Sequence, residues 1–186
     1  MDNTIWSKTI LSVYRYLKRV AFAYDNIVKA KANNSFYTSG DNYSINNVWN
    51  VSNSILDITE RKISLINLKI LTEKALTLID KKNSKILILK YIHNKKSEEI
   101  AEMLGICPRT YFRRVNIAHK SFEKALLRLG YTHDKLYKML QKEDWIIEVY
   151  KQYLSEQNDL EIEVNFYETS IRKTIYKQLK SVNIFF

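Results

Sequence analysis

The stretch Ser97-Glu-Glu-Ile-Ala-Glu-Met-Leu-Gly-Ile-Cys-Pro-Arg-Thr-Tyr-Phe-Arg-Arg-Val115 decides how the chain is read. Two helices that cross steeply over a short turn need a small residue where they approach, and Ala101 supplies it. The turn needs a residue that accepts a positive φ, and Gly105 stands four positions later. Ile100, Leu104 and Ile106 form the apolar corner between the helices. Tyr111, six residues after Gly105, falls where the second helix presents its first large core residue. Ser97 is expected to cap the first helix, with Glu98 and Glu99 in its first turn, where the helix dipole favours acid. Pro108 suits the first position of the second helix, which runs to about Leu129, before Gly130.

The two faces of that second helix separate by angle. At about 100° per residue, Tyr111, Val115, Ala118, Phe122, Ala125, Leu126 and Leu129 fall in one apolar stripe. Arg109, Arg113, Asn116 and Lys120 fall on the opposite face. A basic face that also carries Asn suits the major groove, where Arg pairs bidentately with guanine and Asn with adenine. Arg114 lies on the flank of the stripe, placed for phosphate contact or packing. Phe112 lies on a flank too, placed either for a thymine methyl or for packing. Thr110 and Ser97 complete the set expected to face DNA. Residues 81–124 hold 11 Lys and Arg against four Glu, a net of +7 out of the chain's +10. That concentration is the electrostatic footprint of a polyanion-binding surface.

Working outward, Ser84 is expected to cap a helix carrying Ile86, Leu87, Leu89 and Tyr91, with His93–Lys96 as a polar turn. Upstream, Ile10, Val13, Tyr14, Leu17, Phe22 and Ile27 recur at helical spacing within residues 4–32. Residues 33–47 are polar and aperiodic, which predicts a loop. Val48, Val51, Ile55, Ile58, Leu65, Leu68, Leu76 and Ile79 restore helical period, as one long helix or two joined ones. The polar run Asp80–Ser84 reads as a boundary. Downstream, Thr132 is expected to cap one or two further helices to Tyr153, with Trp145 and Ile146 in the core. Leu160, Ile162, Val164 and Phe166 then alternate at strand period, and Ile171, Ile175 and Leu179 return to helical period. The structure of 156–186 is left open.

The expected organisation is all-α: a helical interaction module over 1–80, a helix-turn-helix domain with supporting C-terminal helices over 81–155, and a tail over 156–186. One Pro and three Gly in 186 residues leave few turns, which favours long helices over sheets. No apolar run approaches the roughly 20 residues of a membrane span and the N-terminus has no signal core, so a cytoplasmic protein is expected. Anionic membrane is a poor partner, because the apolar stripe is needed to pack the hairpin. His93, His119 and His133 lack metal-ligand spacing and read as structural or surface residues. The single Cys107 reads as a buried turn residue. A recombinase or transposase would need paired carboxylates or an activated nucleophile, and Asp25, Asp41, Asp57 and Glu60 are scattered. No enzyme activity, metal or cofactor is therefore expected.

The run from Lys85 to Gly130 resembles region 4 of bacterial sigma factors, with Glu99-Ile-Ala-Glu-Met-Leu-Gly-Ile106 similar to that family's Glu-Ile-Ala-x-x-Leu-Gly-Ile signature. The following Arg-Thr-Tyr-Phe-Arg-Arg is also similar to small phage transcription regulators of the ArpU type. The resemblance covers about a quarter of the chain, and residues 1–80 match no part of it. Where sigma factors usually carry Ser at the cap of the reading helix, this chain has Cys107 followed by Pro108. The resemblance implies a sequence-specific transcription factor that binds double-stranded promoter DNA and acts with RNA polymerase. A regulator that binds an operator as a homodimer is the alternative. Residues 1–80 would then dock on the polymerase or on a second copy.

Overall fold

The computed structural model describes residues 4–37 and 45–155. These form α1 (Thr4–Tyr37), α2 (Ile45–Leu78), α3 (Lys81–Leu87) continued by a π-helical turn (Ile88–Ile92), α4 (Ser97–Met103), α5 (Pro108–Arg128), α6 (His133–Leu140) and α7 (Asp144–Ser155). Among the described residues there is no strand, and no helix is long and apolar enough to cross a membrane. The fold is all-α. The alternating run Leu160–Phe166 lies outside the described residues, as does the rest of 156–186.

Three helix ends differ from the sequence reading. The expected loop over 33–47 is narrower, because α1 continues to Tyr37 and α2 already begins at Ile45. Asn and Ser cost only a few tenths of a kcal/mol each in a helix, and an established helix gains one hydrogen bond per added residue. Polar composition alone did not end it. The cap of α3 is Asp80, not Ser84: the Asp80 carboxylate accepts from the Lys82 amide at 3.0 Å. The polar run read as a boundary is therefore itself a helix start.

α1 and α2, each 34 residues and about 50 Å long, run antiparallel. Tyr14 donates to Glu73 at 2.7 Å, and Asp25 pairs with Lys62 at 2.5 Å, so early positions of one meet late positions of the other. Their seam buries Ile10, Val13, Leu17, Tyr24 and Ile27 against Ile58, Leu65, Leu68 and Leu76. Phe22, counted with the apolar face of α1 by spacing, is 63% exposed instead.

The core does not stop at residue 80. Trp6 of α1 stacks on Tyr150 of α7 with ring centroids 4.3 Å apart, and its indole N–H donates to His133 Nδ1 at 2.9 Å. Ala118, Phe122, Ala125 and Leu126 of α5 share this core with Leu136, Leu140, Trp145 and Ile146. Most of the polar groups that enter it are paired, as burial favours, although Arg61 Nη2 is buried with no partner among the described residues. Glu143 accepts from Tyr24 (2.9 Å), Arg61 Nε (3.0 Å) and Trp145 Nε1 (2.9 Å), tying α1 and α2 to the start of α7. The buried His119 of α5 lies 2.9 Å from Ser7 Oγ of α1 and 2.9 Å from the Tyr91 hydroxyl. Since Ser7 donates to the His119 carbonyl at 3.3 Å, its oxygen is left to accept from Nδ1–H, and Tyr91 donates to Nε2. Burial, with Lys90 and Lys8 nearby, lowers the His119 pKa from 6.5 to about 3, so the ring is neutral.

Candidate nucleic-acid interface

A smaller cluster supports the hairpin formed by α4 and α5. Ile86, Leu89, Ile100, Ala101, Tyr111 and Val115 are buried together, with Leu104 and Ile106 packed against them. Ala101 is 4% exposed, as close helix approach demands. The turn closes with two hydrogen bonds, Gly105 N–H to Glu102 O and Ile106 N–H to Ala101 O, both 3.0 Å. This pairing is a Schellman stop, which needs a left-handed residue at its corner. Gly105 has φ +60, and a Cβ there would meet nothing within 4 Å. Glycine is used for its backbone freedom, not for space.

One cap assignment and one burial are corrected here. Lys96, in extended conformation, precedes α4, and Ser97 is its first helical residue, half-buried beside Tyr111. Cys107 is exposed, not buried: it is the N-cap of α5, with Sγ 3.1 Å from Thr110 Oγ1. That thiol–hydroxyl hydrogen bond is the largest of the contacts that lower the Cys107 pKa. Cys107 makes no side-chain cap bond to the amides of α5; its sulfur meets the Thr110 hydroxyl instead. Pro108 occupies the first turn of α5 as expected.

Along α5 the faces divide as the angles require. Tyr111, Val115, Ala118, Phe122, Ala125 and Leu126 are buried, while Arg109, Arg113, Arg114, Asn116 and Lys120 are exposed. Among the described residues none of these four cations pairs with a carboxylate. Thr110 is half-buried and engaged with Cys107. Phe112 is 55% exposed, with its ring edge-on to Tyr111 at 5.3 Å, so it combines packing with an apolar surface.

Asn83 Nδ2 donates to Ser121 Oγ at 3.3 Å, which sets the first turn of α3 against the middle of α5. Lys81 and Lys85 of α3 are exposed and line a hollow with Leu76, Thr77 and His93 rather than the surface of α5.

The acids considered for catalysis are engaged elsewhere. Asp57 and Glu60 both bind Lys142, at 2.8 and 2.9 Å, and Asp25 binds Lys62. Asp41 lies outside the described residues. Among the described residues, no three His, Cys, Asp or Glu gather as metal ligands would. Compared with known proteins, the chain matches no family model, no curated protein and no solved structure.

Proposed function

We propose that this chain is a sequence-specific double-stranded DNA-binding transcription factor, sigma factor-like in action, which reads promoter DNA with α5 and works with RNA polymerase in the cytoplasm. One observation carries the reading: α5 buries one stripe and leaves Arg109, Arg113, Asn116 and Lys120 exposed on the other, directly after a tight turn. Base edges in the major groove are reached by the N-terminal turns of such a helix, and phosphates by its later turns and its flanks. In this scheme Arg113 and Asn116 read bases. Lys120 and Lys124 hold the backbone.

Selection of binding sites from random duplex DNA, followed by affinity measurement over a salt series, tests this. If roughly five phosphates are neutralised, the log–log slope is about −4 to −5. A single half-site supports sigma-like action, and a palindrome supports an operator-binding dimer. A slope near zero, or no binding at low salt, overturns DNA binding.

A further inference from the structure

α7 ends against α1 beside a cluster of cations. Trp6 stacks on Tyr150, and Ser12 Oγ lies 2.7 Å from the Tyr153 hydroxyl, so α7 runs along α1 from its first turn toward its middle and stops at Ser155. Arg15, Lys18 and Arg19 follow Ser12 within one to two turns, about 4–11 Å further along the helix. The Arg15 and Arg19 guanidinium groups lie 4.7 and 5.4 Å from the centre of the buried Tyr16 ring, which holds them side by side. Among the described residues none of these three cations pairs with a carboxylate.

Directly after α7 the sequence turns acidic. Residues 156–168, outside the described ones, hold Glu156, Asp159, Glu161, Glu163 and Glu168 with no Lys or Arg, whereas α1 holds six Lys and Arg against Asp25 alone. We propose that the acidic segment 156–163 docks back on α1 and pairs with Arg15, Lys18 and Arg19. An extended chain spans at most about 3.3–3.6 Å per residue, so Asp159, Glu161 and Glu163 come within reach of the whole cluster. Arginine forks suit carboxylates, and two of them stand preset on Tyr16. Exposed pairs are each weak, but several made together form a network. α5 is basic too, but its cations face away from α1, because its buried stripe is the side that meets α1 through His119 and Ser7. Of the two basic surfaces, the one beside the start of the segment meets the higher effective concentration of acid. Covered in this way, α1 offers DNA no second basic surface, and polyanion binding is confined to α5. The contact does not depend on the DNA reading; only this consequence does.

Disulfide trapping in the full chain tests it without removing a charge. With Cys107→Ser as background, Ile162→Cys is combined either with Phe22→Cys, exposed one turn past Arg19, or with Ile117→Cys, exposed on α5. Oxidation links positions 22 and 162 within one chain several times faster than positions 117 and 162. In 1 M salt, where the screening length falls to about 3 Å, that advantage disappears. Linkage at 117 as fast as at 22, linkage only between chains, or an advantage that salt leaves intact overturns the proposal. On heparin, a polyanion without base sequence, the full chain carrying Asp159→Asn, Glu161→Gln and Glu163→Gln binds more tightly, and adding Arg15→Gln and Arg19→Gln cancels the gain. Additive effects of the two sets would reflect net charge alone and overturn the pairing. Neither readout involves base reading, so a chain that selects no DNA site still gives both, and the two proposals fail separately.

Discussion

The two ends of α5 rest on different supports. Its first turns contribute Tyr111 and Val115 to a cluster of six buried residues shared only with α3, the π-helical turn and α4. Its later turns contribute Ala118, Phe122, Ala125 and Leu126 to the core that α1, α2, α6 and α7 also build. Local stability follows the number of buried apolar neighbours, so the end proposed to meet bases is the one that opens at lower cost. His119 marks the junction, bonded to Ser7 on one side and Tyr91 on the other. If α5 reads DNA as proposed, a helix fixed at its far end and more loosely held at its near end would adjust to the duplex without the protein unfolding.

Several substitutions set the two supports against each other. The largest effect is expected from Trp145→Ala in the main core, which removes a fully buried ring and the indole bond to Glu143. It should cost about 3–5 kcal/mol in urea unfolding and lower protection from hydrogen exchange in every helix. Ile100→Ala in the small cluster should cost toward the lower end of about 2–5 kcal/mol, since a cluster this close to the surface can partly collapse. Its exchange signature is the sharper test: faster exchange confined to α4 and the first turns of α5. Faster exchange throughout would show one cooperative unit and erase the distinction.

On DNA, Arg113→Ala should lose about 1–3 kcal/mol on the selected site and relax preference at one or two base pairs. Lys120→Ala should weaken selected and scrambled DNA alike and lower the salt slope by about one. Equal losses for both variants on both DNAs would mean that α5 does not read sequence. Gly105→Ala should cost about 1 kcal/mol, because only the positive φ opposes it, and Gly105→Asn less. Near neutral pH the smallest effect concerns His119. Its pKa is lower folded than unfolded, so the unfolded chain binds the proton first. The stability it confers is complete above about pH 6.5 and falls as pH drops toward 3. Denaturation from pH 8 to 5 should show the unmodified chain losing more stability than His119→Asn; equal losses would remove His119 as the cause.

Much of the hairpin was legible in sequence because its constraints are local. Ala101, Gly105, Pro108 and the stripe from Tyr111 to Leu126 each follow from helix period or turn geometry, and each stands where those rules place it. What was not legible depends on distant contacts. The exposure of Cys107 and the half-burial of Ser97 follow from where α4 begins and how the turn is aimed. The exposure of Phe22 depends on which side of α1 receives α2 and α7. The docking of α3 on α5 rests on the Asn83–Ser121 contact, 38 residues apart in the chain. The boundary read at residue 80 follows a change in sequence pattern, whereas the core joins both sides of it.

The partners of Trp6 and Ser12 bear on how the chain is made. The Trp6 indole bonds His133, 127 residues further on, and Ser12 bonds Tyr153, 141 residues further on. At synthesis rates of about 5–20 residues per second, α1 leaves the ribosome roughly 6–28 seconds before these partners exist. In that interval α1 and α2 can close on each other, but Trp6 and the rest of the face meant for α5 and α7 stay wet. Nascent chains would therefore remain sensitive to proteolysis and to chaperone capture until α7 has emerged, and only then become protected, in a single late step.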